Sequence, residues 1–423
     1  MEITEELSAR TLSRVSRRLV PFLFALYVFA YLDRVNVGYA ALFIRRELHF
    51  SDTVYGTGAG LFFLSYAVFD IPSNLILLRV GPRRWIGLLM VIWGIISASM
   101  PLVHTPGQFY LLRFLLGAAE AGFFPGIVLY LTYWFPRQQR ARAIARFMAA
   151  TAIAGVIGAP LSNLLLRLNG VAGIAGWKWL FVGEGVPSVL LGLLVFWVLT
   201  DTPEEAKWLT DDERVWLIRT LEEERAGISA SHSVHVRDVW RNKVLWQLAY
   251  IYFAISVGLY SLSLWLPVVL KSLSRASDAR VILLTAIPYL LAAIAMLLIA
   301  RSSDRLQERR WHLMASLTGA MAGFLLSVVL TSPWLAMAAL FLAAAGIWGC
   351  FGPFWALPTG MLRGTAAAGG IAIINSVGAI GGFLGPYLMG RVSDATHSFH
   401  AALAVAAALL LLAVGVASRL RNA

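Results

Sequence analysis

Long apolar runs separated by short basic clusters dominate the chain. The first, LVPFLFALYVFAYLDRVNVGYAALFI (19–44), carries an aspartate and an arginine side by side at its middle, Asp33 and Arg34. As a helix its 26 residues rise about 39 Å against roughly 30 Å of hydrocarbon, enough to cross a bilayer with tilt to spare. Hydropathy predicts about twelve such spans. They fall near 19–44, 54–78, 85–103, 108–135, 142–168 and 177–199, then near 243–270, 279–300, 311–331, 333–357, 366–391 and 398–418. Between the two sets, residues 201–242 are polar and too long for a tight connection. The expected architecture is an all-α membrane protein: an N-terminal six-helix bundle (1–200), a cytoplasmic linker (201–242) and a C-terminal six-helix bundle (243–423) around a central cavity.

The linker has its own signal. In PEEAKWLTDDERVWLIRTLEEER, Thr210 followed by Glu213 reads as a capping box, and Trp216, Leu217, Ile218 and Leu221 form an apolar stripe, so a short helix is expected there. It either docks on the inner faces of the bundles or only tethers them. Ser229, Ser231 and Ser233 mark a flexible remainder. The halves also echo each other. LLRVGPRRW follows span two where ARSSDRLQERRW follows span eight, and GVIGAP (155–160) in span five matches GFLGPY (382–387) in span eleven. Such repeats predict a two-bundle transporter with a midplane site.

Composition agrees: 423 residues, 59% hydrophobic and 14% charged, with mean hydropathy +0.73. A net charge of +12 is scattered in short clusters between spans instead of forming one basic face, which argues against nucleic acid. Basic residues such as Arg14, Arg83, Arg140 and Arg309 outnumber those of the alternate loops, such as Arg45, Lys178 and Lys271, which predicts both termini and the linker in the cytoplasm. The N-terminal segment lacks the order of a cleaved signal peptide, so the first span is expected to be retained. Cys350 is the single cysteine, which excludes an intrachain disulfide. No GxSxG, HExxH, GxxxxGK[ST] or CxxC motif occurs, so neither enzyme chemistry nor an ATP-driven pump is expected, and no cofactor or metal.

Four runs carry a family resemblance: YLDRVNVG in span one, DIPSNLILLRVGPRRW (70–85), RFLLGAAEAGFFPG (113–126) and PEEAKWLTDDE after span six. Together, in this order, they resemble the anion:cation symporter branch of the major facilitator superfamily over nearly the whole chain. YSLSLWLPVVLKSL in span seven is similar to tartrate and aromatic-acid permeases. One departure is the second basic turn, which has Leu306, Gln307 and Glu308 where the superfamily has a glycine. The resemblance implies proton-driven import of a small carboxylate, of the tartrate, sugar-acid or aromatic-acid class, through a monomer in a bacterial inner membrane. An exchanger or exporter on the same scaffold is the rival within the class, and a membrane-embedded carboxylate sensor the rival outside it.

The residues can be asked separately. Mid-membrane charge costs roughly 2.5–3.5 kcal/mol per residue on insertion scales, so charges kept there are candidates for transport. Arg34 is permanently charged and forked to match a carboxylate, which makes it the expected anion hook; the alternative is a structural pairing with Asp33 or Glu120. Asp33 and Glu120, at similar depth, are the expected proton carriers, because two carboxylates in a low-dielectric cavity cannot both ionise comfortably. An ionised carboxylate would hold Arg34 and a protonated one would release it to the anion. Arg113, two turns before Glu120, is expected to attract anions, to pair during the cycle, or to snorkel to the interface. Tyr31, Tyr66 and Tyr289 are candidates to line the cavity, as are Trp355 and Asn375, the last two mainly through the resemblance. Asn36 and Asn163 are expected as helix–helix hydrogen bonders, and His104, His397 and His400 as solvated loop residues.

Overall fold

A computed structural model describes residues 2–228, 242–274, 276–361 and 365–420. Ser229, Ser231 and Ser233 lie outside them, as do Arg275, Arg363 and Arg421. The described residues are all-helical, and twelve helices are long and apolar enough to cross a membrane. Spans one to six run Glu6–Glu47, Asp52–Val80, Pro82–Leu102, Pro106–Thr132, Arg142–Leu166 and Gly176–Val198. Spans seven to twelve run Lys243–Leu273, Asp278–Leu306, Arg310–Val329, Pro333–Pro358, Gly370–Thr396 and His400–Ala417. The helix of span one begins at Glu2, well before the apolar run, because nothing in its polar lead breaks helical geometry.

Spans four, eight and ten are each interrupted, at 121–122, Thr285 and Cys350. In each, a proline follows within four residues: Pro125, Pro288 and Pro353. Proline has no N–H for the helical ladder and its ring crowds the carbonyl four residues back, so the helix yields at that turn. The break in span four falls directly after Glu120, which ends the first segment.

Packing repeats from half to half. Span one packs on span five as seven does on eleven, two on four as eight on ten, and three on six as nine on twelve. Between halves, span two meets eleven, five meets eight, and one meets seven. The echoed glycines lie on two of these seams: a Cβ on Gly155 would sit 3.2 Å from Tyr289, and one on Gly382 would sit 2.8 Å from Phe63. Lacking side chains, both let the helices approach closely.

Hydrogen bonds between halves cluster at the end that carries the 48–51 and 274–277 connections, here called the far end. Asp394 accepts the backbone N–H groups of Asp52 (3.0 Å) and Thr53 (2.8 Å) at the N-terminus of span two, where a carboxylate also meets the positive end of the helix dipole. Ser393 donates to Asp52 at 2.5 Å, and Tyr55 donates to the Leu264 carbonyl at 2.8 Å. Far-end cations are matched by acids: Arg45 pairs with Asp52, Arg46 with Asp278 (3.2 Å) and Lys271 with Asp278 (2.8 Å).

The linker helix, Asp211–Ile228, docks on the N-terminal half. Glu213 is buried; it accepts from Arg10 (3.1 Å), Arg14 (2.8 Å) and the Thr210 N–H (3.2 Å), which is one half of the expected capping box. The Thr210 hydroxyl turns instead to Asp212. Leu217 and Leu221 are buried, as the stripe requires. A cavity of about 600 Å³ lies beneath this helix, lined by Tyr133, Arg140, Pro203 and Glu224 among others.

Candidate functional site

Arg34 leaves span one toward span four and meets Glu120. Its Nε and Nη2 donate to the same carboxylate oxygen, Oε2, at 3.2 and 3.0 Å. Oε1 accepts no hydrogen bond. The Arg34 guanidinium also lies over the rings of Tyr66 (5.3 Å) and Phe62 (5.5 Å) of span two, a cation–π setting that holds the cation without neutralising it. Glu120 is 1% exposed, whereas the Arg34 side chain keeps 13%. The arginine thus keeps some exposed surface while its carboxylate partner has almost none.

Arg113, for which snorkelling to the interface was one of the alternatives, is fully buried in span four. Its guanidinium lies over the same Phe62 ring that Arg34 contacts, at 5.0 Å. Nη2 donates weakly to the Ala59 carbonyl at 3.4 Å, and Nε and Nη1 have no partner. Snorkelling is thereby excluded for this conformation. Two guanidiniums share one aromatic ring, and only one of them holds a carboxylate.

Asp33 points away from Arg34, as its neighbouring position on the helix dictates, since successive residues lie about 100° apart. It is fully buried between spans one, three and six and accepts from Ser97 (2.7 Å) and Ser188 (2.6 Å). The pairing of Arg34 weighed above is thus with Glu120 here. Asn36, expected to bridge helices, is buried with neither amide atom in a hydrogen bond.

Of the aromatic candidates, Tyr66 contacts Arg34 directly. Tyr31 has Tyr289, Tyr260 and Arg34 as neighbours. Tyr289 is buried edge-on to Trp348 at 5.6 Å, and Trp355 packs edge-on to Tyr252 at 5.0 Å. Asn375 of span eleven is exposed. His104, His397 and His400 are exposed in or beside connections.

Three residues escaped the sequence reading. Tyr260 of span seven neighbours Arg34 and packs its ring, tilted, against Phe63 with centroids 3.9 Å apart; it opens the YSLSLWLPVVLKSL run, so the signal was present. Glu184 is an acid inside an apolar span, as Glu120 is, and the same rule would have found it. Phe62 gave no signal, since one more phenylalanine in a greasy helix is unremarkable until two arginines are seen to flank it.

A transporter scaffold, with a buried arginine–carboxylate pair facing an aromatic wall, is the class that fold and site define. The Major Facilitator Superfamily profile matches residues 23–386, and the chain belongs to that family. It is 47% identical over 413 residues to an Agrobacterium vitis protein named "Putative tartrate transporter", covering 97% of this chain and 91% of that one. It is 45% identical to the "Putative metabolite transport protein NicT" of Pseudomonas putida (95% and 92% covered) and 40% identical to a "Quinolone resistance transporter" of Acinetobacter baumannii (92% and 90%). Among solved structures, a bacterial homologue of the human lysosomal transporter Spinster, crystallised inward-facing and occupied, superposes with a TM-score of 0.79 at 19% identity over 95% of this chain and 96% of that one. The chain is a multi-pass membrane transporter and not an enzyme.

Proposed function

We propose that the protein imports a small organic anion together with protons by alternating access, with Arg34 as the anion hook and Glu120 as the proton-controlled latch on it. The observation that carries this reading is the Arg34–Glu120 pair: both guanidinium donors converge on one carboxylate oxygen of a buried acid, while the arginine side chain keeps part of its surface exposed. Ionised Glu120 occupies the hook. When a proton neutralises Glu120, the charge-assisted bonds weaken and the fork is released to a substrate carboxylate. Arg113, with two nitrogens unpartnered, adds a positive potential that favours the anion, and Asp33 is a second proton candidate. Tyr31, Tyr66, Tyr260 and Tyr289, with Trp355 and Asn375, supply hydroxyl, amide and ring contacts to the rest of the substrate. The tartrate-transporter relative favours a hydroxylated carboxylate. In this reading the far end faces outward, the termini and linker lie in the cytoplasm of a bacterial inner membrane, and the far-end bonds close the outer entrance. The protein would act as a monomer.

Proteoliposomes test it. Purified protein should concentrate a labelled carboxylate when the outside is acidified, and accumulation should collapse with the pH gradient. Binding without flux would make it a sensor; flux that needs internal anion and ignores the gradient would make it an exchanger.

A further inference from the structure

Behind the anion hook, and walled from it by span one, lies a second polar cluster. Asp33 and Glu184 are both fully buried, on spans one and six. Asp33 is well served: each oxygen accepts a hydroxyl, from Ser97 at 2.7 Å and Ser188 at 2.6 Å. Glu184 is not. Its Oε1 has only Ser162 at 3.3 Å, and its Oε2 has no partner. The fully buried Asn36 amide stands beside it, with neither atom in a hydrogen bond of good geometry. The charged and titratable groups facing Glu184 among the described residues are Asp33 and Tyr39, both of span one, and among those residues no cation pairs with it. Arg113 faces Glu120 and Asp33, not Glu184.

Charge balance singles out Glu184. The dry interior of this half holds three acids, Asp33, Glu120 and Glu184, against two guanidiniums, Arg34 and Arg113. With all five ionised, one negative charge is left uncompensated in low dielectric, where isolated charge is expelled by taking up a proton. Glu120 has Arg34, and Asp33 has two hydroxyl donors. We propose that one proton resides in the Asp33–Glu184 cluster, on Glu184, making it a proton-binding site separate from the Arg34–Glu120 pair. The inference deepens the proton coupling proposed above, yet the site exists whether or not the substrate is an anion. The Tyr39 hydroxyl, in no hydrogen bond of good geometry, has Glu184 on one hand and Thr285 and Tyr289 of span eight on the other as neighbours, which offers the proton a way to the seam between the halves.

Infrared difference spectra of the unliganded protein in liposomes at pH 7 test this without any substrate. The wild type should show the C=O stretch of a protonated, solvent-shielded carboxylic acid, and Glu184→Gln should lose that band. Ser162→Ala, which removes the one hydroxyl on Oε1, should move the band to higher frequency and guards against a misfolded Glu184→Gln. The proposal is overturned if the wild-type band is missing, if it survives in Glu184→Gln, or if Ser162→Ala leaves it in place. It is equally overturned if replacing choline chloride with sodium chloride abolishes the band, since the cluster would then hold an alkali cation. Loss of anion uptake with the band intact would sink the transport reading and leave this one standing.

Discussion

Span one and span seven hold equivalent places in the two halves and differ in what they bury. Span one carries Asp33, Arg34 and Asn36 through its middle; span seven buries Ser256, Ser261 and Ser263 and no charged side chain. The contrast recurs in spans four and ten. Five residues before Pro125 stands Glu120, and five before Pro353 stands Trp348, so the same proline-broken turn presents an acid in one half and an indole in the other. Among the described residues, every buried charge in the membrane interior belongs to the N-terminal half. The shared skeleton sets how the halves move against each other, while the desolvation cost of charge is concentrated on one side, where the acids and guanidiniums can offset one another. The other side is left to shape and aromatic contact.

The strongest way to break this division is to remove its cation. Arg34→Ala should lower anion affinity by at least about 30-fold, from the roughly 2 kcal/mol minimum expected when one member of a buried charge pair is truncated. Arg34→Lys should recover only part of it, because an ammonium lacks the planar fork. Calorimetric titration with tartrate and related carboxylates reads both; wild-type affinity in the alanine variant would move the hook elsewhere. Glu120→Gln, a mimic of the protonated acid, should keep binding and exchange while concentrative uptake falls at least about tenfold, the scale of the coupling it removes. Full accumulation by that variant would take Glu120 out of the coupling.

These residues also show how far the sequence could be read. The spans and the linker helix follow from hydropathy and capping, which are local properties; span one starts more than ten residues before its apolar run, because hydropathy does not see a polar lead that continues the helix, while the other spans lie within about six residues of the expected bounds. Arg34 and Glu120 were legible because charge in an apolar run is costly wherever the helix turns. Which way each side chain faces was not. Asp33 and Arg34 are neighbours in sequence and diverge by a third of a turn, so whether Glu120 meets the one or the other depends on how spans one and four are rotated, a matter of packing. Arg113 looked like a span-end residue, but the packing of spans two and four buries it against Phe62.

Two smaller effects probe the seam and the aromatic side. Asp394→Asn removes the charge that caps span two across the halves and should weaken far-end closure by about 1–2 kcal/mol, the range for a carboxylate at a helix N-terminus. Cys350 is buried, so a reporter cysteine at Asn375 can be followed alone; labelling from the far-end side of vesicles should quicken several-fold. An unchanged rate would mean that the clasp does not govern access. Trp355→Phe and Tyr260→Phe should each alter affinity by less than about tenfold and change the ranking of carboxylates, since each deletes about one hydrogen bond or part of a ring contact. A loss as large as that of Arg34→Ala would show that the C-terminal half binds the anion's charge after all.

The smallest effect is expected at the linker. Glu213→Ala deletes a buried acceptor of Arg10, Arg14 and the Thr210 N–H, but both arginines are about half exposed, so the pairs themselves are worth little and the lost cap accounts for most of about 1 kcal/mol. Thermal unfolding should fall by a few degrees with uptake within about twofold of wild type. Its neighbour Asp212 is held below the ordinary carboxylate range, first by the Thr210 hydroxyl and then by the Glu213 backbone and Arg10. A depressed carboxylate stabilises above its unfolded value, so any effect of Asp212→Asn should be constant from pH 8 to about 5 and disappear as the acid is protonated below about 4. Should Glu213→Ala instead halt transport while leaving the melting temperature intact, the linker helix would be a moving part that couples to the charged half, and the asymmetry between the halves would extend beyond the membrane.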